Sequence, residues 1–420
     1  MVIPLNNMLN NLLGVGILLY ILGDEMKNYT KNIAGIVLSA TMAMSSSSHA
    51  DVTIGELQNF VGPLESMIGE MTGAVNLAVT EANASGNYLQ GTISIVQADS
   101  TCGDPAVAIA EAEKMVNEDN VIAIMGPNCS AITTAVINAV IAPLGVLSIS
   151  PSATSPAIDA LDDGGFFYRT APPDTKQGPA LAKIAMSRGQ TDMAVTYVNA
   201  DYGKGLADAF VEAYEAAGGT VTVFAAHEDD KADYSADIAA LSAGGSATLA
   251  IFGYADTGGR ALITASEDTG AFTDYVFGDG MISEVTAGAI ADGSWGTLPA
   301  PSKELQAKWD VVAAAAGLTG TAVFSGQSYD AMALIILASQ AAGSSDRAAI
   351  AAEVLNVANA PGIKCEAGDL ATCLKYISGG LPVDYVGATG VELDAFGTPN
   401  GSYSESEVIG GVFTSIAIHD

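Results

Sequence analysis

The residues best able to do chemistry in this chain are hydroxyls, amides and carboxylates, because histidine is nearly absent. His49 falls in an N-terminal leader, His419 is the penultimate residue, and His227 precedes the acidic run Glu228-Asp229-Asp230. Histidine acid–base catalysis and a histidine-built zinc site therefore find no support. There is no C-x-x-C pair, G-x-S-x-G elbow, P-loop, G-x-G-x-x-G run or EF-hand spacing. We expect no metal, no cofactor and no enzyme activity; the chemistry on offer is binding. Three groups carry it. Cys129-Ser130-Ala131 opens a helix, so its leading amides and the Ser130 hydroxyl are donors suited to a carboxylate. Ser150-Pro151-Ser152-Ala153-Thr154-Ser155-Pro156 offers a second cluster of donors. Asp279, in Phe277-Gly278-Asp279-Gly280, is suited to an ammonium group. Taken singly, Ser130 and Ser155 read as plain N-caps and Asp279 as a solvated turn residue. Their joint placement on facing strand ends reads as a site.

The elements that must position them alternate strand and helix. Strands are expected at Val52–Leu57, Thr92–Val96, Val121–Met125 and Val146–Ile149, with helices at Met71–Ala84, Pro105–Val116 and Ser130–Ile141. Asp104 is placed to cap the second of these helices. After Pro172-Pro173 the rhythm resumes. Strands are expected at Met193–Val198, Thr220–Phe224, Thr248–Phe252 and Tyr275–Phe277, and helices at Gly178–Ser187, Gly205–Ala217, Tyr234–Leu241 and Gly258–Glu267. Apolar strands alternating with helices imply two doubly wound parallel sheets of an α/β fold. A third block, 303–380, reads as mostly helical, and 383–418 as short strands. Ligands of such sheets sit beyond the carboxyl ends of strands. The loops in question are 58–67, 99–104, 126–131, 150–156, 199–205, 253–258 and 278–283.

Composition narrows the setting. The 420 residues are 49% hydrophobic but only 6% aromatic, and 47 acidic against 15 basic residues give a net charge of −32. Such a surface repels nucleic acid and anionic lipid, and suits a soluble protein in salty medium. From Met26 a basic start (Lys27, Lys31), the apolar stretch Ile33–Met44 and the end Ser48-His49-Ala50 describe a secretory signal peptide over 26–50. Residues 1–25 then read as a misassigned start, since Leu12–Leu22 is too short to span a bilayer. The protein is expected to be exported, soluble and periplasmic. Four cysteines agree with an oxidising compartment. Local spacing suggests Cys102 with Cys129 and Cys365 with Cys373, among the three connectivities that four cysteines allow. The latter two lie in an expected helical region, where the bland alternative is two separate buried thiols.

Across 51–420 the chain resembles the periplasmic leucine/isoleucine/valine-binding proteins of ABC transporters. The likeness is carried by Asp99-Ser-Thr-Cys-Gly-Asp-Pro-Ala, Val121–Gly126, Cys129-Ser130, Ser150-Pro-Ser-Ala-Thr154, Tyr168-Arg-Thr and Asp201-Tyr-Gly-Lys-Gly205. Gly253-Tyr254, Gln327-Ser-Tyr329-Asp330-Ala, Asp384-Tyr-Val-Gly-Ala-Thr-Gly and Leu393-Asp-Ala-Phe-Gly extend it. The resemblance implies a type I periplasmic binding fold: lobe 1 from 51–172 and 299–400, lobe 2 from 173–298 and 401–420, hinged near 171–174, 297–301 and 400–406. It implies a monomer that hands a branched-chain or other aliphatic amino acid to a membrane permease. The ligand carboxylate would meet Ser130, Ala131 and the donors of Ser152, Ala153 and Thr154, and the ammonium would meet Asp279. Tyr202, Tyr254 and Tyr329 would close over it. It also implies a disulfide within the first lobe. Three departures concern the ligand's side chain. The loop Gly62–Ile68 lacks the aromatic that family members often carry there, Ser152 replaces a common Ala, and Asp279 stands where some members have Glu. The alternative is a binding protein of the same fold for urea, short amides or another small organic solute.

Overall fold

A computed structural model describes residues 51–419 apart from 291; the leader and the suspected start lie outside the described residues. Five strands form one parallel sheet: β1 (Val52–Gln58), β2 (Ile93–Asp99), β3 (Ala123–Met125), β4 (Leu147–Ser150) and β5 (Phe167–Arg169), in the order β2-β1-β3-β4-β5. All four pairings are parallel. Between them run helices α1 (Glu65–Ser85), α2 (Pro105–Asn117) and α3 (Ser130–Val136). Asp104 caps α2, its carboxylate accepting from the amides of Ala106 and Val107. The stretch expected to be a single helix to Ile141 widens into a π turn over Ile137–Ile141.

The second sheet repeats the plan. Helix α4 (Asp174–Ser187) leads into β6 (Asp192–Val198), followed by α5 (Asp201–Ala216), β7 (Thr220–His227) and α6 (Ser235–Ser242). Then come β8 (Thr248–Phe252), α7 (Gly258–Thr269), β9 (Asp274–Phe277) and β10 (Trp295–Ala300). Strands β7-β6-β8-β9-β10 are parallel neighbours, the same order as in the first sheet. In such an order the crevice lies where successive connections leave in opposite directions, at β1/β3 and at β6/β8. Those are the strand ends that carry Ser130, Tyr202 and Tyr254.

The chain then returns to the first sheet. Helices α8 (Lys303–Ala315), α9 (Ser325–Ala342) and α10 (Arg347–Ala358) precede β11 (Ile363–Glu366), α11 (Leu370–Ser378) and β12 (Val383–Gly387). Helix α9 is apolar nearly all round and is buried accordingly. It packs with α1, α10 and one face of the first sheet in a shared core that includes Ile54, Val75, Ile149, Leu334 and Val354. The last pair, β13 (Ser402–Ile409) and β14 (Val412–His419), is longer than the short strands expected. It extends the second sheet as an antiparallel hairpin turning on Gly410-Gly411. Both glycines have positive φ, as a tight two-residue hairpin turn requires.

Both disulfides pair the cysteines that are close in sequence. Cys365 corrects one expectation: it sits on β11 rather than on a helix, so its bridge to Cys373 ties a strand to α11. Strands β5 and β10 went unread in the sequence, the first for its length and the second because Gly296 and Pro299 interrupt its pattern.

Candidate functional site

Where β3 ends, Gly126 adopts φ +104°, and a Cβ there would run into the carbonyl of Leu57 on β1. Only glycine lets the chain turn so tightly across the first strand, and the turn delivers Asn128, Cys129 and Ser130 to the switch point. Ser130 is buried at the start of α3, where the leading amides have no intrahelical partner. Its Oγ accepts from the Ser155 amide at 3.1 Å, which leaves the hydroxyl proton free to donate. Ser150 Oγ gathers the Ala153 amide at 3.0 Å and the Ser152 amide at 3.4 Å, so these two donors turn inward. The Ser152 hydroxyl donates to the Asn128 carbonyl at 3.1 Å and ties the two loops together.

On the other side, Tyr202 enters from the first turn of α5. Its hydroxyl donates to Asp279 Oδ1 at 2.6 Å and accepts from the Gly280 amide at 3.0 Å, and its ring stacks on Tyr254 with centroids 5.4 Å apart. Asp279 is 2% exposed; Gln177 lies near it, but its Oδ2 makes no hydrogen bond among the described residues. Burial pushes its carboxyl up to about 6, against the pull of the Tyr202 hydrogen bond. Asp174, at the first position of α4, lies close enough to feel that charge. It too is fully buried, and burial first, then Asp279, holds it well above the ordinary range, with the nearby Thr154 hydroxyl pulling the other way. The charge of Arg169 pulls Asp174 part of the way back down, without a hydrogen bond to it. Arg169 is committed to Asp159, to Thr398 and to the carbonyls of Ala153 and Ser155.

Between these walls lies a small cavity of about 10 Å³ lined by Asn128, Ser130, Ser152, Tyr202, Tyr254 and Asp279, with Leu64, Cys129, Gly280 and Phe324 completing it. That is space for about one water molecule. Two hydrogen bonds bridge its mouth: the Ser66 amide donates to Asp256 Oδ2 at 2.9 Å, and the Asp256 amide donates to the Pro63 carbonyl at 3.3 Å. A third, from Thr134 Oγ1 to Asp201 Oδ2 at 3.1 Å, joins α3 to α5.

Five expected residues thus converge on the cavity: Ser130, Ser152, Tyr202, Tyr254 and Asp279. Ala131, Ala153 and Thr154, expected with them, do not line it. Ala153 spends its carbonyl on Arg169, and the buried Thr154 hydroxyl lies beside the Asp174 carboxyl. Tyr329 is a correction. It lies in the core between α9 and α1, donating to Glu81 Oε2 at 2.6 Å with its ring 5.2 Å from Trp309, because an aromatic on a fully buried helix faces packing rather than the cleft. Sequence reasoning missed Leu64, Asn128, Phe324 and Asp174. Leu64 and Asn128 belong to loops that had been singled out. Phe324, with φ +56° before α9, belongs to no strand end and carried no signal.

Comparison with known proteins bears on the family and the fold. A family model described as periplasmic binding protein matches residues 51–366. The chain is 28% identical over 324 residues to Leu/Ile/Val-binding protein BraC3 of Rhizobium johnstonii, covering 76% of this chain and 87% of that protein. Among solved structures it resembles the leucine binding protein LivK of Thermotoga maritima, with a TM-score of 0.72 at 21% identity, covering 88% of this chain and 99% of that one. It also resembles a solute-binding protein of R. palustris in complex with benzoate, with a TM-score of 0.70 at 17% identity, covering 88% and 96%. Similarity at that level establishes the fold.

Proposed function

Because the chain belongs to the periplasmic binding protein family, we propose that it is the extracytoplasmic receptor of an ABC importer, binding a small α-amino acid of branched-chain size between its lobes. The observation that carries this is Asp279, a buried carboxylate with one oxygen unpartnered among the described residues, in the same cavity as the Ser130 hydroxyl. A zwitterion satisfies both ends: its ammonium neutralises Asp279, and its carboxylate takes the Ser130 hydroxyl and the α3 amides. Each is a charge-assisted bond. Leu64, Phe324 and the disulfide at Cys129 supply an apolar wall for an aliphatic side chain.

Benzoate, bound by one structural neighbour, and neutral amides are other ligand classes, and electrostatics separates them. Benzoate is an anion. In this cleft it would meet Asp279 with Asp174 behind it, while Arg169 is already engaged. Urea and short amides are neutral and leave Asp279 without a counter-charge. An ammonium-bearing ligand is the one class for which the buried acid is an asset. The bodies that close on it are 51–172 with 299–400 and 173–298 with 401–420, acting as a monomer.

Calorimetric titration of refolded, ligand-stripped 51–420 tests this directly. Amino acids of Val, Leu and Ile size should bind, whereas benzoate, urea and acetamide should give no heat. Replacing Asp279 by Asn should cost about 2 kcal/mol or more of binding free energy. Benzoate binding in preference to amino acids would overturn the reading.

A further inference from the structure

One polar atom on the cavity wall has no task in the scheme above. Asn128 is 1% exposed and lines the cavity, and its Oδ1 has no hydrogen-bond partner among the described residues. Its orientation is fixed from behind. Glu56, buried on β1, accepts from Gln97 Nε2 at 2.8 Å, from Thr72 Oγ1 at 3.0 Å and from Gln58 Nε2. Three donors on one carboxyl mark it as the acceptor, so Gln58 must show Glu56 its NH2 end. That leaves Gln58 Oε1 to receive Asn128 Nδ2, at 3.1 Å. Turning either amide over would set oxygen against oxygen or NH2 against NH2. The chain Glu56–Gln58–Asn128 therefore holds Asn128 Oδ1 out of the protein's own network, on a residue that lines the cavity.

A buried acceptor left without a donor is costly, and a ligand that supplies one is correspondingly favoured. The ligand's carboxylate cannot do so, since it is itself an acceptor. Its ammonium is drawn to the charge of Asp279, anchored by Tyr202, and is the rival donor that ligand pairs sharing the same ammonium discriminate against. The remaining part of an amino acid is its side chain. We infer that Asn128 is a specificity-determining residue that accepts a hydrogen bond from the ligand's side chain, so that the preferred ligand is a small amino acid bearing an O–H or N–H donor there. The inference rests on the amino-acid reading of the cleft and narrows it within the branched-chain size range.

Isosteric pairs make the test. Threonine and valine differ by a hydroxyl for a methyl, and asparagine and leucine by an amide for a branched alkyl end. Titration of the ligand-stripped protein should show threonine binding more tightly than valine, and asparagine more tightly than leucine, by roughly ten- to a hundred-fold. Asn128→Leu should abolish or reverse both preferences while leaving the protein folded by circular dichroism. The wild-type comparison stands without the variant. Equal binding within each pair, or tighter binding of valine and leucine, overturns the inference and leaves the amino-acid reading standing. Binding of no member of either pair overturns both.

Discussion

Asp279 is an acid whose charge the cleft needs only when a cation is present. With its carboxyl pushed up to about 6, it is ionised at neutral pH and gains protons as the medium is acidified. Protonated, it no longer neutralises an ammonium, so amino-acid affinity should fall as the pH drops below about 6. The ligand-free protein responds with the opposite sign. An acid raised on folding destabilises the native state above its folded value and ceases to do so below its unfolded one. Asp279→Asn should therefore melt higher than wild type at pH 7.5, with the gap narrowing as pH falls through about 6 towards 4; paired titration and melting curves check both trends. At this scale the sequence was partly legible. Ser130 and Asp279 could be singled out because a residue type and a strand-end position coincide. Asn128, Asp174 and Phe324 could not, because their roles come from burial, a neighbouring charge and a backbone angle that only the folded chain shows.

The elements were more legible than the residues, since β-branched runs and helix periodicity are local signals. Boundaries moved where tertiary context took over: α1 begins at Glu65, six residues before its apolar pattern does, and β7 runs on to His227. The Cys102–Cys129 bridge shows what an element-level tie does for the site. It joins the loop after β2 to the residue that opens α3, with Cα atoms 5.5 Å apart. Thr101 and Cys102 both hold positive φ in that loop, a conformation that non-glycine residues keep only under external constraint. Replacing both cysteines by alanine should lower unfolding free energy by about 2–4 kcal/mol. It should also weaken ligand binding, because the start of α3 loses its anchor; chemical denaturation and calorimetry together separate the two effects. The motif around Tyr329 and Asp330 belongs at this scale too. Asp330 accepts from Tyr385, from Thr389 Oγ1 and from the Ala388 and Thr389 amides, so the stretch clamps β12 and the loop after it to α9. Its likeness to relatives reports architecture, which is why Tyr329 misled as a ligand contact.

For the whole molecule, the α/β class and the doubled sheet could be read from alternation alone, but not the contacts that hold the two halves together. Helix α1 has Leu64 at its N-cap, which offers no side-chain acceptor, and the cap comes instead from Asp256 on the opposite side of the cleft. Asp256→Ala should leave each lobe folded while loosening the closed form. We expect ligand dissociation to quicken by roughly two- to thirty-fold, the range set by losing one helix cap, and small-angle scattering of the ligand-free variant to report a larger radius than wild type. Unchanged dissociation would assign closure to other contacts. The order of segments in the core has a further consequence, in time rather than in space. One face of the first sheet is covered by α9 and α10, whose residues follow those of the entire parallel part of the second sheet. A ribosome adding about 5–20 residues per second leaves that face open for some tens of seconds after β1 has emerged. The half of the molecule that is made first is thus finished last, and in the interval its bare apolar face is the part most in need of a chaperone.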